Sequence, residues 1–166
     1  MPYLLDADTF IQAKNLHYGF DFCPAYWDWI DQANKNQIVY SIEKVKSDLL
    51  AGSDELSEWA NERGKEFFLP PTKLTLPSLE QISTWVKSSE YESVAINTFL
   101  EISDYYLIAQ AHETNFTVVT HEKIASSLKK IKIPNVCHSL NIKVMSPFQM
   151  LKEERARFVL GNIKGA

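Results

Sequence analysis

Short apolar runs alternate along this chain with longer stretches in which apolar positions recur every three or four residues. The first run, Tyr3-Leu4-Leu5, has no polar interruption and stops at Asp6, the pattern of a strand covered on both faces. Gln37-Ile38-Val39-Tyr40, Thr117-Val118-Val119-Thr120 and Ile142-Lys143-Val144-Met145 are β-branched or aromatic and predict three more strands. Phe67-Phe68-Leu69 predicts a short edge strand or a connector, stopped by Pro70-Pro71.

Helical spacing fills the gaps. Phe22 to Ala33 carries Tyr26, Trp27, Trp29 and Ile30 at helical spacing, with Pro24 suited to a first turn. Ser41 is the expected N-cap of a helix that turns Ile42, Val45 and Leu49 inward, and Ser53 that of a helix burying Leu56, Trp59 and Ala60. Ser78 is expected to open a helix through Val86, and 92–101 predicts another. Ser103 caps one with Leu107, Ile108 and Ala111 inside, and Pro147 starts the last, with Phe148, Met150 and Leu151. Strands and helices in this alternation predict an α/β fold, a sandwich around a mainly parallel sheet. One domain over 1–166 is expected, with an extended helical stretch around 53–101.

Composition adds little to that picture. The 166 residues are 45% hydrophobic and 23% charged, ordinary globular values that allow a substantial core. No apolar run approaches the roughly 18 residues of a membrane span, and Asp6 breaks the opening too early for a signal peptide. Cys23 and Cys137 form neither a disulfide framework nor a metal spacing. A cytoplasmic chain, not bound to membrane, is the expectation. Charge is uneven: up to Asp104 there are 8 Lys+Arg against 17 Asp+Glu, and from Tyr105 onward 9 against 4. An acidic front and a basic tail matter for any polyanionic partner.

Four carboxylates stand where strand or helix logic favours something apolar. Asp6 leaves the first strand at the sheet edge where open α/β sheets bind ligands. Asp48 adjoins the inward Val45/Leu49 stripe, and Asp104 shares a helical face with Leu107, Ile108 and Ala111. Glu122 follows the Val118-Val119-Thr120 run after His121. Each has an ordinary alternative: Asp6 and Asp8 as an N-cap pair, Asp104 facing a helix dipole, Asp48 and Glu122 as solvated residues. If the four converge, their repulsion holds protons on unless a cation neutralises them. Oxygen ligands without His or Cys spacing suit Mg²⁺ or Mn²⁺. Such a site activates water against a phosphate ester.

These segments resemble the PIN domain. The resemblance rests on Leu5-Asp6-Ala7-Asp8, Val45-Lys46-Ser47-Asp48-Leu49, Asp104-Tyr105-Tyr106-Leu107-Ile108-Ala109-Gln110-Ala111 and Val118-Val119-Thr120-His121-Glu122, and runs from Tyr3 to Leu151. Lys132-Ile133-Pro134-Asn135-Val136-Cys137, followed by the Val144 strand, is similar to a subgroup of bacterial PIN-like proteins. The resemblance implies a three-layer α/β/α fold and a metal-dependent ribonuclease, often the toxin of a toxin–antitoxin pair, with RNA as substrate. It implies that Asp6, Asp48, Asp104 and Glu122 hold Mg²⁺ or Mn²⁺, that Thr120 orients a carboxylate or a water, and that Asp8 stands where Asn is frequent. Asp48 and Glu122 each exchange the commoner acid for the other, and 53–101 is long for a minimal PIN domain. Glu43 is a spare acid near the same helix.

Two other readings stand beside it. Asp6-Ala7-Asp8-Thr9 also resembles haloacid-dehalogenase-type phosphatases, with Asp6 as nucleophile, but Phe10 occupies the usual Thr or Val position and no Asp follows Asp104. A PIN-like fold retained as a non-catalytic binding module is the other. The acidic pI of about 5.6 favours the module, whereas Lys123, Lys129, Lys130 and Lys132 are expected as a positive rim beside the acidic site or else as a solubilising helix face, and the tail adds Lys152, Arg155 and Arg157. Trp27, Trp29 and Trp59 are expected in the core, their competing use being a homodimer or antitoxin interface. His17, His112, His121 and His138 share no metal spacing, and His121 is expected as a solvated loop residue.

Overall fold

A computed structural model describes residues 1–161. Its centre is a five-stranded, all-parallel sheet in the order β3-β2-β1-β4-β5. The strands are β1 (Tyr3–Leu5), β2 (Val39–Ile42), β3 (Phe68–Leu69), β4 (Thr117–Val119) and β5 (Val144–Met145). β1 is central: Tyr3 pairs with Val39 on one side and Thr117 on the other. Leu4, Leu5, Val118 and Val119 are wholly buried, which is why these runs tolerate no polar residue.

The helices are α1 (Ala7–Gln12), α2 (Pro24–Lys35), α3 (Glu43–Leu50), α4 (Glu55–Asn61), α5 (Thr75–Ser88), α6 (Ser93–Phe99), α7 (Ser103–Thr114), α8 (Ile133–Ser139) and α9 (Pro147–Glu153). A π-helical turn, Ala13–His17, extends α1. From β1 the chain moves to β2 and then β3, returns across the sheet to β4, and steps outward to β5. Right-handed crossovers in opposite directions place their helices on opposite faces. A three-layer α/β/α sandwich results, with α2 on β2, and α5 and α8 each packed against α7. None of the described helices is long and apolar enough to cross a membrane.

Several helix starts differ from the expectation: Ser103 is the buried first residue of α7, whose N-cap is Ile102. Ser41 lies inside β2, fully buried, and its hydroxyl donates to Leu5 O at 2.6 Å; Ile42 precedes α3 instead. Asp54 rather than Ser53 caps α4, accepting from Ser57 N–H at 3.0 Å. α5 begins at Thr75, and Ser78 is buried within it, 3.0 Å from His112 Nδ1. Segment 53–101 is not purely helical, since β3 falls inside it and extends the sheet.

Trp27 and Trp59 are buried, with ring centroids 5.0 Å apart, and Trp29 packs partly buried against the same core. Trp27 and Trp59 therefore serve the core, which answers the interface alternative for both. Phe10, fully buried, packs on Trp59, Phe67 and Phe68.

Candidate functional site

β1 and β4 are adjacent, but their onward connections leave in opposite directions across the sheet. A crevice forms outside the carboxyl ends of strands at such a switch point. Asp6 follows β1 at this place, and Thr120 and Glu122 follow β4.

Asp6 is 2% exposed. Its Oδ1 accepts from Thr9 N–H at 2.8 Å and from the Thr9 hydroxyl at 2.7 Å; Oδ2 accepts from the Thr120 hydroxyl at 2.6 Å. It is thus the N-cap of α1 as well as a site carboxylate. Burial pushes its carboxyl up to about 6 against the opposing effect of these donors, with Asp8 adding repulsion. Thr120 is buried and works in both directions, because its oxygen also accepts Glu122 N–H at 3.1 Å. One hydroxyl therefore sets Asp6 and the backbone that carries Glu122.

Asp104 lies in the first turn of α7, partly buried beside Leu107 and Ile108. Its carboxyl is pushed up to about 7, first by burial, then by Glu122 and Asp6; Asp48 raises it further, while Lys130 pulls it down. The four acids are thus electrostatic neighbours. Glu122 Oε2 is buried without a hydrogen-bond donor among the described residues. Lys132 Nζ is 3.3 Å away, an ion-pair distance without hydrogen-bond geometry. A buried, incompletely satisfied carboxylate oxygen is costly unless something positive meets it.

Asp48 is exposed on α3 while Val45 and Leu49 face the core, so it stands at the rim rather than on the inward stripe. Glu43 opens α3 and lines a cavity of about 360 Å³ with Lys44, Thr75 and Tyr106. Asp8 is partly buried, and its Oδ2 accepts from Gln12 Nε2. Among the described residues, no three His, Cys, Asp or Glu side chains are gathered closely enough to hold one metal ion directly. The donor set still fits Mg²⁺, which keeps several of its waters and takes only one or two carboxylates. All the acids present oxygen, and Asp104, raised by burial and by its carboxylate neighbours, gains from added positive charge; Glu122 Oε2 is already met by Lys132.

A ring cluster that sequence reasoning missed borders this site. His121 is partly buried rather than a solvated loop residue, 5.5 Å from the His17 ring and 5.4 Å from that of Phe148. Burial, then His17, lowers its pKa, with Asp8 opposing. No local sequence signal joins the three, because the π-helical turn, the end of β4 and α9 each supply one ring.

Among solved structures, "Structure of FitAB bound to IR36 DNA fragment" is similar, 17% identical over 88% of this chain and 95% of that one, with a TM-score of 0.52. At that identity the likeness concerns fold alone. No curated protein matches the chain. Residues 3–158 match the family described as "Domain of unknown function (DUF4411)". With the whole sheet and every site acid inside the matched span, the chain belongs to the DUF4411 family.

Proposed function

We propose that this chain is a PIN-like, metal-dependent endoribonuclease that hydrolyses RNA phosphodiester bonds and acts as the toxin of a toxin–antitoxin pair. The observation that carries the reading is the junction of β1 and β4, where the Thr120 hydroxyl holds buried Asp6 and accepts Glu122 N–H, with Asp104 near enough for both acids to raise its pKa. Asp6, Asp48, Asp104 and Glu122 are the residues that would hold Mg²⁺ or Mn²⁺, with no more than two of them as direct ligands of one ion. When bound, the ion supplies Lewis acidity towards a phosphoryl oxygen and neutralises the acidic cluster.

The chain's own groups do the positioning. Thr9 and Thr120 fix Asp6 in one orientation through donors to both oxygens. Thr120 holds the Glu122 backbone. Lys130 and Lys132, acting on Asp104 and Glu122, place positive charge where a phosphate backbone enters. Phe10 at the usual Thr or Val position and the lack of any Asp after Asp104 count against the phosphatase reading.

A second reading, a non-catalytic binding module, draws support from the spread of the acids, no three of which are gathered around one point among the described residues. FitAB is bound to a DNA fragment in its structure; a nucleic-acid connection for this chain, like a protein antitoxin, belongs to this proposal.

Labelled single-stranded RNA with Mn²⁺ or Mg²⁺ separates the two. Cleavage by the parent chain and its loss in Asp6→Asn and Asp104→Asn, with circular dichroism unchanged, supports the nuclease. Full activity in Asp104→Asn, or no metal-binding heat by calorimetry, refutes it. Co-purification with the product of the neighbouring gene tests the antitoxin, and no complex there would remove that part.

A further inference from the structure

We infer that His17, His121 and Phe148 form a stacking platform for a base of single-stranded RNA beside the scissile phosphate. This rests on the nuclease reading for its substrate, but its own support is geometric. The ring centroids lie 5.1 Å (His17–Phe148), 5.4 Å (His121–Phe148) and 5.5 Å (His17–His121) apart.

Phe148 is 43% exposed in the first turn of α9, whereas Met150 and Leu151 of the same helix are buried. Core packing therefore accounts for Met150 and Leu151 and leaves much of the Phe148 ring open to solvent. Two imidazoles meet it at steep angles, His17 at 83° and His121 at 65° to its plane, so Phe148 is the ring that would stack. His17 is delivered by the π-helical turn, closed by Tyr18 N–H to Ala13 O at 2.6 Å; such turns recur at functional sites. His121 directly follows Thr120, which holds Asp6. The platform is thus one residue from the acidic site along the chain.

Charge complementarity selects the occupant. The loop that leaves His121 carries Lys123, Lys129 and Lys130, all exposed, and Lys132, which is paired with Glu122. Phosphates on the lysines and a base on the open ring are the two halves of single-strand recognition, in which every base offers a π-face.

The test uses the full chain carrying Asp104→Asn, in EDTA, so that binding is read without cleavage. Two labelled strands of equal length are compared by fluorescence anisotropy: one of RNA, and one of the same phosphate backbone without bases. Phe148→Ala should weaken the RNA about tenfold and leave the base-free strand unchanged, and Phe148→Trp should restore tight binding. A 2-aminopurine reporter in the RNA should be quenched by the parent and not by Phe148→Ala. Equal affinity of parent and Phe148→Ala for the RNA, or equal weakening on both strands, overturns the platform. RNA cleavage by the chain without Asp104→Asn is scored separately, so an inactive enzyme that still shows the base-dependent weakening fails the nuclease reading alone.

Discussion

Replacing Asp104 by Asn should stabilise the metal-free protein, although it removes a residue of the proposed site. Folding moves the Asp104 carboxyl from 3.8 to about 7, which at neutral pH costs the ionised form about 4 kcal/mol. Solvent reaches this partly buried group, so about half of that, ~2 kcal/mol, is the expected net effect. For a chain of this size that corresponds to a rise of about 4–8 °C in Tm. The sign with pH follows from linkage. A carboxyl raised in the folded state binds its proton more readily there, so stability is greatest below about 4 and falls as pH rises towards 7. Asp6, pushed up to about 6, acts in the same direction. His121, lowered on folding, opposes them near pH 6, and Asp54, also lowered, acts below pH 4. The difference between variant and parent isolates Asp104. Thermal melts in EDTA at pH 4.5, 6 and 7.5 should show Asp104→Asn gaining with pH, and Mn²⁺ at pH 7.5 should raise the parent's Tm but not the variant's. A variant less stable than the parent at pH 7.5, or a gain that does not grow with pH, would refute the electrostatic account.

Thr120→Val keeps the shape of the side chain but removes both the donor to Asp6 and the acceptor for Glu122 N–H. Metal affinity by calorimetry, or cleavage rate, should fall about 10- to 100-fold, as for groups that orient metal ligands; an unchanged affinity and rate would show that Thr120 orients nothing. Lys130→Gln with Lys132→Gln should weaken RNA binding uniformly across sequences. It should also flatten the salt dependence by about one unit of log–log slope for each phosphate that the two lysines neutralise. A slope that stays the same would place the backbone elsewhere.

Much of the frame is legible in the sequence because burial leaves a one-dimensional trace. The uninterrupted apolar runs at Leu4-Leu5 and Val118-Val119 are buried central strands, and Pro24 and Pro147 open the helices that their positions predict. The acids are visible for the same reason, as polar residues against an apolar pattern. Helix starts are less legible. Ser41 has cap chemistry, but the sheet claims it, and its hydroxyl is engaged with Leu5 of the adjacent strand. Asp48 adjoins Leu49 in sequence but is exposed, and what brings it near Asp104 is the packing of α3 on α7, which no local pattern reveals. The cluster of His17, His121 and Phe148 is illegible in principle, because its rings come from segments joined only by tertiary folding.

The central position of β1 has a kinetic meaning. It precedes the other four described strands in sequence, and one of its two neighbours, β4, lies more than 100 residues further on. Parallel pairing across so long a loop is slow, since the closure entropy must be met before the contacts form. Until then one edge of β1 lies open to mispairing. The hydrogen bond from Thr120 to Asp6 spans the same late junction. A growing chain therefore cannot bring Asp6 to Thr120 and Glu122 until β4 has been synthesised, and pairing β4 with β1 is the step that joins them.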